Sequence, residues 1–164
     1  MILVEWDTLF YLAGLFVIME ACHRLRLVDF IGDGMVRLIE QAPQETRLPV
    51  ALLSILWIVT IISGLLDTVP LAIALVKVIA LVASKLSLPV PALAWALAFG
   101  ACLGQNSTIV GGANNVLAVS ICERAGHGVS SRRWMSIGIP VVIITQTVIT
   151  FYILVRYTSM PIPL

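Results

Sequence analysis

The chain has 164 residues, a net charge of +1, and a composition that is 60% hydrophobic and only 12% charged. Soluble domains carry about 25% charged residues, so this composition and a mean hydropathy of +1.04 indicate an integral, multi-pass protein of the lipid bilayer. The near-neutral charge also excludes a nucleic-acid partner, which requires a basic face.

The first apolar stretch, from about Trp6 to Cys22, predicts a transmembrane helix within residues 1–26. Trp6 suits an anchor at the membrane interface. Acidic residues near Met1 replace the basic region of a secretory signal, so we expect this stretch to stay in the mature protein.

Residues 27–47 predict a helix with two faces, followed by a loop. Apolar residues recur at helical spacing, and charged residues fall elsewhere on the wheel, which favours a helix lying in the membrane interface. A soluble connector helix is the alternative. The apolar positions are Val28, Ile31, Met35, Leu38 and Ile39, and the charged ones are Asp29, Asp33, Arg37 and Glu40.

Residues 48–85 form a long apolar region with a polar break from Ser63 to Pro70. The second arm, about 69–83, is short for a bilayer core of about 30 Å. This favours a re-entrant hairpin with Asp67 and Thr68 at a tip inside the protein. Two spans with Asp67 at a surface turn remain the alternative. Lys77 is expected to extend to the surface or to a water-facing position.

Residues 86–123 are too long and too rich in glycine for one regular helix, and they predict a discontinuous helix broken at Gly104–Gly112. Gly100 and Gly104 form a small-xxx-small pair that permits close helix packing. Residues 124–164 predict a hydrophilic loop and a final transmembrane helix from about Ile137 to Tyr157, with Pro140 in its first turn.

The two polar breaks carry the chemistry. A helix broken inside a membrane leaves N–H groups that suit anions, and carbonyl groups that suit Na⁺ together with hydroxyl and amide oxygens. Paired breaks of this kind point to a transporter's substrate site, although a polar kink satisfied by neighbouring groups is the alternative for any one residue. The candidate ligands are Ser63, Asp67, Thr68, Gly104, Gln105, Asn106, Ser107, Thr108, Gly111, Asn114 and Asn115.

Asp67, the only carboxylate at the breaks, is the candidate carrier of a cation or a proton, and Asp67, Asn106 and Thr108 are candidate Na⁺ ligands. The chain contains no nucleophile elbow, P-loop or zinc motif, so we expect no enzymatic activity and no cofactor besides a coupling ion.

The stretch Ala94–Gly104 and the pattern formed by Asn106 and Thr108–Gly111 resemble the C-terminal repeat of the ion transporter superfamily, in particular its P protein branch. This superfamily includes arsenite permeases, NhaD-type sodium/proton antiporters and sodium/dicarboxylate transporters. The resemblance covers nearly the whole chain, and the matches fall in order.

The resemblance implies a fold and a partner. The first and last helices would be scaffold helices, 27–47 the interfacial connector, 48–85 a re-entrant hairpin and 86–123 a discontinuous helix. Family members work as dimers by an elevator-like movement, and their site takes one hairpin tip and one helix break from each of two inverted repeats. Only the second repeat has a counterpart here. We therefore expect a homo-oligomer, or a partner carrying the first repeat, that transports a small anion or a cation-coupled substrate. A non-transporting subunit or truncated isoform packed with a full-length relative is the alternative.

The chain departs from the family pattern at both breaks. Thr68 stands where the family has Asn at the hairpin tip, and Ala72 stands where it has Thr. Gln105 and Ser107 replace two glycines of the broken helix, and Asn114 is additional. These changes remove some ion ligands and add others, so the resemblance does not carry over the identity of the ion or substrate.

Overall fold

The computed structural model describes residues 6–159, and every regular element in that range is helical, which confirms the prediction of an all-α protein for these residues. Short 3₁₀ turns lie at Gln44–Thr46 and Gln105–Ser107, and a π-helical turn at Val155–Ser159 ends the last helix. The helices are α1 (Trp6–Arg24), α2 (Leu27–Glu40), α3 (Arg47–Ser63), α4 (Thr68–Leu86), α5 (Val90–Gly104), α6 (Ala113–Arg124) and α7 (Ser131–Leu154).

Three helical segments of the described chain are long and apolar enough to cross a membrane: Gln44–Ser63, Thr68–Leu86 and Ser131–Tyr157. They comprise both arms of the predicted hairpin and the predicted final span. The α1 helix is not among them, because polar residues such as Asp7 and Glu20 interrupt its apolar sequence. Its assignment as the first transmembrane segment stays a prediction.

The core lies where α3, α4 and α5 pack together, and α2 covers one side of it. The two-faced pattern of α2 is present, since its four acidic and basic side chains are exposed while Met35 and Ile39 are buried. Val36, which is 4% exposed, joins the buried side, whereas Leu38, one of the apolar positions of the pattern, is 47% exposed.

The α3 and α5 helices run side by side in the same direction at very close range. A Cβ on Gly100 would lie 2.6 Å from the Leu56 carbonyl oxygen, and a Cβ on Gly104 would lie 2.7 Å from the Thr60 Cα. Only glycine permits this approach, because any side chain would overlap backbone atoms. The predicted role of the Gly100 and Gly104 pair is confirmed.

Two predicted boundaries were wrong. The second hairpin arm is α4, whose 19 residues exceed the predicted 15 or so, and therefore its length no longer favours a re-entrant arm over a spanning one. Pro140 lies inside α7 rather than in its first turn, because α7 begins at Ser131, earlier than expected. Lys77 is exposed on α4, and its extension to the membrane surface or to water stays a prediction.

Candidate functional site

Asp67 connects the two breaks through its carboxylate. Oδ1 accepts a hydrogen bond from the Val69 N–H at the start of α4, at 3.0 Å, and Oδ2 accepts one from the Ala113 N–H at the start of α6, at 2.8 Å. The residue is only 3% exposed. The first turn of a helix carries a partial positive charge, so two helix N-termini compensate this buried negative charge.

Four oxygen atoms converge between the hairpin tip and the end of α5. Ser63 Oγ donates to the Ala101 carbonyl at 2.6 Å, and Thr68 Oγ1 lies 3.4 Å from Ser63 Oγ and 3.3 Å from the same carbonyl. Thr68 Oγ1 also lies 3.1 Å from Gln105 Oε1, and Gln105 Nε2 donates to the Cys102 carbonyl. The four oxygens share only two hydroxyl hydrogens, which leaves lone pairs unused.

The loop after α5 interlocks with the hairpin. Thr108 Oγ1 donates to the Gly64 carbonyl and accepts from the Gly111 N–H at 3.1 Å. A Cβ on Gly111 would lie 2.8 Å from the Ser63 carbonyl oxygen, so a larger residue does not fit. Asn115 is 4% exposed, and its Nδ2 donates to the carbonyl oxygens of Gln105 and Thr108, at 2.9 and 3.1 Å.

Asn106 turns away from this network. Its carbonyl accepts a hydrogen bond from Trp134 Nε1 at 3.1 Å, and its side chain has no hydrogen-bond partner in the described part of the chain. It lines a recess of about 580 Å³ beside the start of α7, together with Val129, Arg133, Trp134, Ile137, Gly138 and Val141.

The structure thus brings most of the predicted site residues into one junction. Seven of them join it directly: Ser63, Asp67, Thr68, Gln105, Thr108, Gly111 and Asn115. At the edge of the junction, Ser107 Oγ donates to the Gly104 carbonyl at 2.8 Å. Asn106 faces the recess, and Asn114 is exposed on α6. We call the directly joined residues the tip–break junction.

The three candidate Na⁺ ligands are not linked by hydrogen bonds, and two of them are already engaged elsewhere. Both Asp67 oxygens accept backbone N–H groups, Thr108 Oγ1 is already a donor and an acceptor, and within residues 6–159 no hydrogen bond links the Asn106 side chain to either of them. No group of three or more His, Cys, Asp or Glu residues within the described chain could hold a metal ion.

Sequence reasoning missed the positions of Ala101 and Arg133. Ala101 contributes its backbone carbonyl, and the residue type gives no signal for such a contact in the sequence. Arg133 was placed in a hydrophilic loop, whereas the structure places it in the first turn of α7, where it lines the recess beside the break.

Apolar helices that enclose a polar junction of two helix breaks are typical of membrane transport proteins. The family described as "Citrate transporter" (CitMHS) matches residues 2–100, and the chain belongs to this family. The predicted resemblance to the P protein branch is confirmed, because the chain is 37% identical to the P protein of Homo sapiens over 94% of its own length.

The chain is also similar to bacterial membrane proteins, one of which is named a transporter. The chain is 30% identical to an uncharacterized transporter of Mycobacterium tuberculosis and 31% identical to the 46 kDa membrane protein of Mycobacterium leprae, over 94% and 96% of its length. It spans 19% of the human P protein and about a third of each mycobacterial protein (35% and 36%). No solved structure gives a significant match.

Proposed function

We propose that the chain transports a small anionic substrate, coupled to Na⁺ or H⁺, and that the tip–break junction is its share of the binding site. The observation that carries this proposal is Asp67, whose single carboxylate joins the hairpin tip to the break of the discontinuous helix. Polar irregular backbone of this kind is tolerated at membrane depth where it is buried in protein or lines a cavity.

A coupling Na⁺ fits the oxygen cluster better than it fits the candidate ligands Asp67, Asn106 and Thr108. Thr68 Oγ1 lies within hydrogen-bond distance of three other oxygens, namely Ser63 Oγ, the Ala101 carbonyl and Gln105 Oε1, and Ser63 Oγ lies 2.6 Å from the Ala101 carbonyl. Hard cations prefer oxygen ligands. In this arrangement Asp67 does not bind the cation directly. It holds the two helix N-termini in place and so positions the oxygens that bind the cation.

The anionic substrate fits the recess beside the break. Two polar residues line the recess: Asn106, whose side chain has no hydrogen-bond partner in the described chain, and Arg133. A guanidinium matches the planar geometry of a carboxylate. The family description names citrate, a carboxylate, and supports this choice of substrate class.

A complete transporter requires more than this chain supplies. The chain spans between 19% and 36% of the relatives compared above, which supports a second unit that completes the site. That unit is a second copy of this chain or a partner carrying the first repeat. Movement of α3–α6 against α1 and α7 would then follow the elevator scheme of the family.

Flux measurements on the reconstituted chain test the proposal. We expect uptake of labelled citrate into vesicles under an inward Na⁺ or H⁺ gradient. Arg133→Gln and Asn106→Ala should each lower uptake at least tenfold, because under this proposal they remove the charge and the amide that contact the substrate. Arg132→Gln is the matched control, since this neighbouring arginine is exposed and does not line the recess. Equal uptake in Arg133→Gln and Arg132→Gln would contradict the assignment of the recess.

A second candidate function is favoured by the same partial coverage. The chain would be a non-transporting membrane subunit or truncated isoform that packs with a full-length relative. Absence of uptake in every gradient, for protein shown to be folded, together with co-purification of a longer relative, would support this function. An active homo-oligomer of the purified chain would exclude it.

A further inference from the structure

A second recess, of about 270 Å³, lies between α5 and the end of α7. Its lining is almost wholly aromatic: Trp95, Phe99, Tyr152, Arg156 and Tyr157. The rings of Trp95 and Phe99 stack with centroids 5.4 Å apart. The π-helical turn at Val155–Ser159 carries Arg156 and Tyr157, and such departures from α-helix are frequent at functional sites.

Arg156 places a positive charge in this recess. Its guanidinium carbon lies 5.8 Å from the centroid of the Tyr157 ring, and no acidic side chain forms an ion pair with it in the described chain. No aspartate or glutamate follows Glu123 in the sequence. A partly buried guanidinium without a carboxylate attracts an external anion.

The recess lies at the opposite end of the helices from the tip–break junction. The α3 and α5 helices run parallel toward the junction, as the contacts of Gly100 with Leu56 and of Gly104 with Thr60 show. The α7 helix runs the other way. It passes Asn106 at Gly138 and then reaches Leu56 through the hydrogen bond from Gln146 Nε2.

The end of α7 therefore lies beside the start of α5 and the end of α4, where these apolar segments meet the membrane surface. Tyr and Trp are enriched at that depth, where one edge of the ring is apolar and the other is wet. Basic pockets between membrane helices at that depth bind lipid head groups.

We propose that this recess binds the phosphate of an anionic phospholipid. The Arg156 guanidinium pairs with the phosphate oxygens, and Trp95, Phe99 and Tyr152 contact the glycerol and the upper acyl chain. Inorganic phosphate shares the anionic group but lacks the acyl chains, so it would leave these aromatic surfaces uncovered. The proposal is independent of the transported substrate.

Quenching of Trp95 fluorescence by brominated lipids tests the site. The full chain is reconstituted in phosphatidylcholine vesicles containing a low mole fraction of either brominated phosphatidylglycerol or brominated phosphatidylcholine. Trp95→Phe isolates the contribution of this indole from those of the other three tryptophans. We expect the anionic lipid to be enriched about fivefold at Trp95 over the zwitterionic one, the factor that one basic residue near the surface supplies.

Three variants test whether the lipid preference depends on Arg156. Arg156→Gln should abolish the preference for the anionic lipid, and Arg156→Lys should retain part of it, because the charge remains while the planar fork is lost. Arg132→Gln, an exposed arginine at the other end of α7, should leave the preference unchanged. Circular dichroism confirms that each variant is helical.

Three results would overturn the proposal. They are equal quenching by the two lipids in the unmodified chain, a preference that survives Arg156→Gln, and complete displacement of the anionic lipid by inorganic phosphate. The last result would identify a site for soluble phosphate rather than for lipid.

Discussion

Asp67 and Asn106 belong to the two polar breaks, yet the fold uses them in different ways. Both carboxylate oxygens of Asp67 accept backbone N–H groups inside the protein, whereas the side chain of Asn106 has no hydrogen-bond partner in the described chain and lines a recess. A buried carboxylate whose oxygens are both hydrogen-bonded fixes the geometry around it, whereas a half-buried amide without a partner in the protein is free to bind a ligand. The interior of the junction thus sets its geometry, and the residue beside it is the one that we propose for binding.

The largest expected effect follows from removing the carboxylate at the centre of the junction. Asp67→Ala removes two hydrogen bonds from the Val69 and Ala113 N–H groups to a charged acceptor, which should lower the free energy of unfolding by about 4 kcal/mol. Thermal unfolding in detergent measures the change. Asp29→Ala is the matched control, because Asp29 is exposed on α2. A stable Asp67→Ala protein that has lost only Na⁺ dependence would instead make Asp67 a direct ion ligand.

Two adjacent asparagines on α6, one buried in the junction and one exposed, allow a sharper comparison of interior and edge. Asn115→Asp replaces the amide donor to two carbonyl oxygens with a buried carboxylate, which should cost about 3 kcal/mol. Asn114→Asp should be neutral or slightly stabilising, because Asn114 is exposed in the first turn of α6, where a negative charge is favourable. The same unfolding measurement compares them. Equal losses in the two variants would contradict the distinction.

The next largest loss of stability is expected where the backbones of α3 and α5 pack closely beside the junction. Gly104→Ala places a methyl group against the Thr60 backbone and forces α3 and α5 apart, which should cost about 2 kcal/mol. Gly34→Ala is the matched control on α2, where a Cβ meets nothing within 4 Å. There alanine should stabilise the helix by up to about 1 kcal/mol. A tolerated alanine at Gly104 would show that the crossing can widen without disturbing the break.

The positions of both breaks could be predicted from the sequence, because apolar stretches bounded by Gly, Pro and Asp have strong local signals. The roles of the residues at the breaks could not. Whether Asp67 binds an ion or caps two helices depends on where the Ala113 N–H lies, and residue 113 is 46 positions away. Such a long-range contact leaves no periodic pattern in the sequence.

The depth of the hairpin tip also depended on the fold. Its arms have 17 and 19 residues, or roughly 25 and 28 Å along a helix, so each approaches the thickness of the bilayer core. Gly138, beside Asn106, lies only about 10 Å along α7 from its first residue. Asp67 at the tip is buried in protein, and the break beside it lies about two turns from the start of α7, while the depth of the tip in the membrane stays a prediction.

The smallest effect is expected at a buried polar group outside the junction. Gln146 is fully buried on α7, and its Nε2 donates to Thr60 Oγ1 at 2.6 Å and to the Leu56 carbonyl at 3.3 Å. Its Oε1 has no hydrogen-bond partner in the described chain.

Gln146→Leu keeps the volume and removes both the donor bonds and the unpaired oxygen, so these contributions oppose each other. Hydrogen bonds between membrane helices average about 0.6 kcal/mol, and we expect a net change below about 1 kcal/mol in the unfolding measurement. Thr147→Val, at the exposed neighbouring position, is the control. A loss as large as that of Gly104→Ala would show that α7 is held to α3 by this single amide. Burial and hydrogen bonding would then fail to distinguish the junction from other polar sites in the protein.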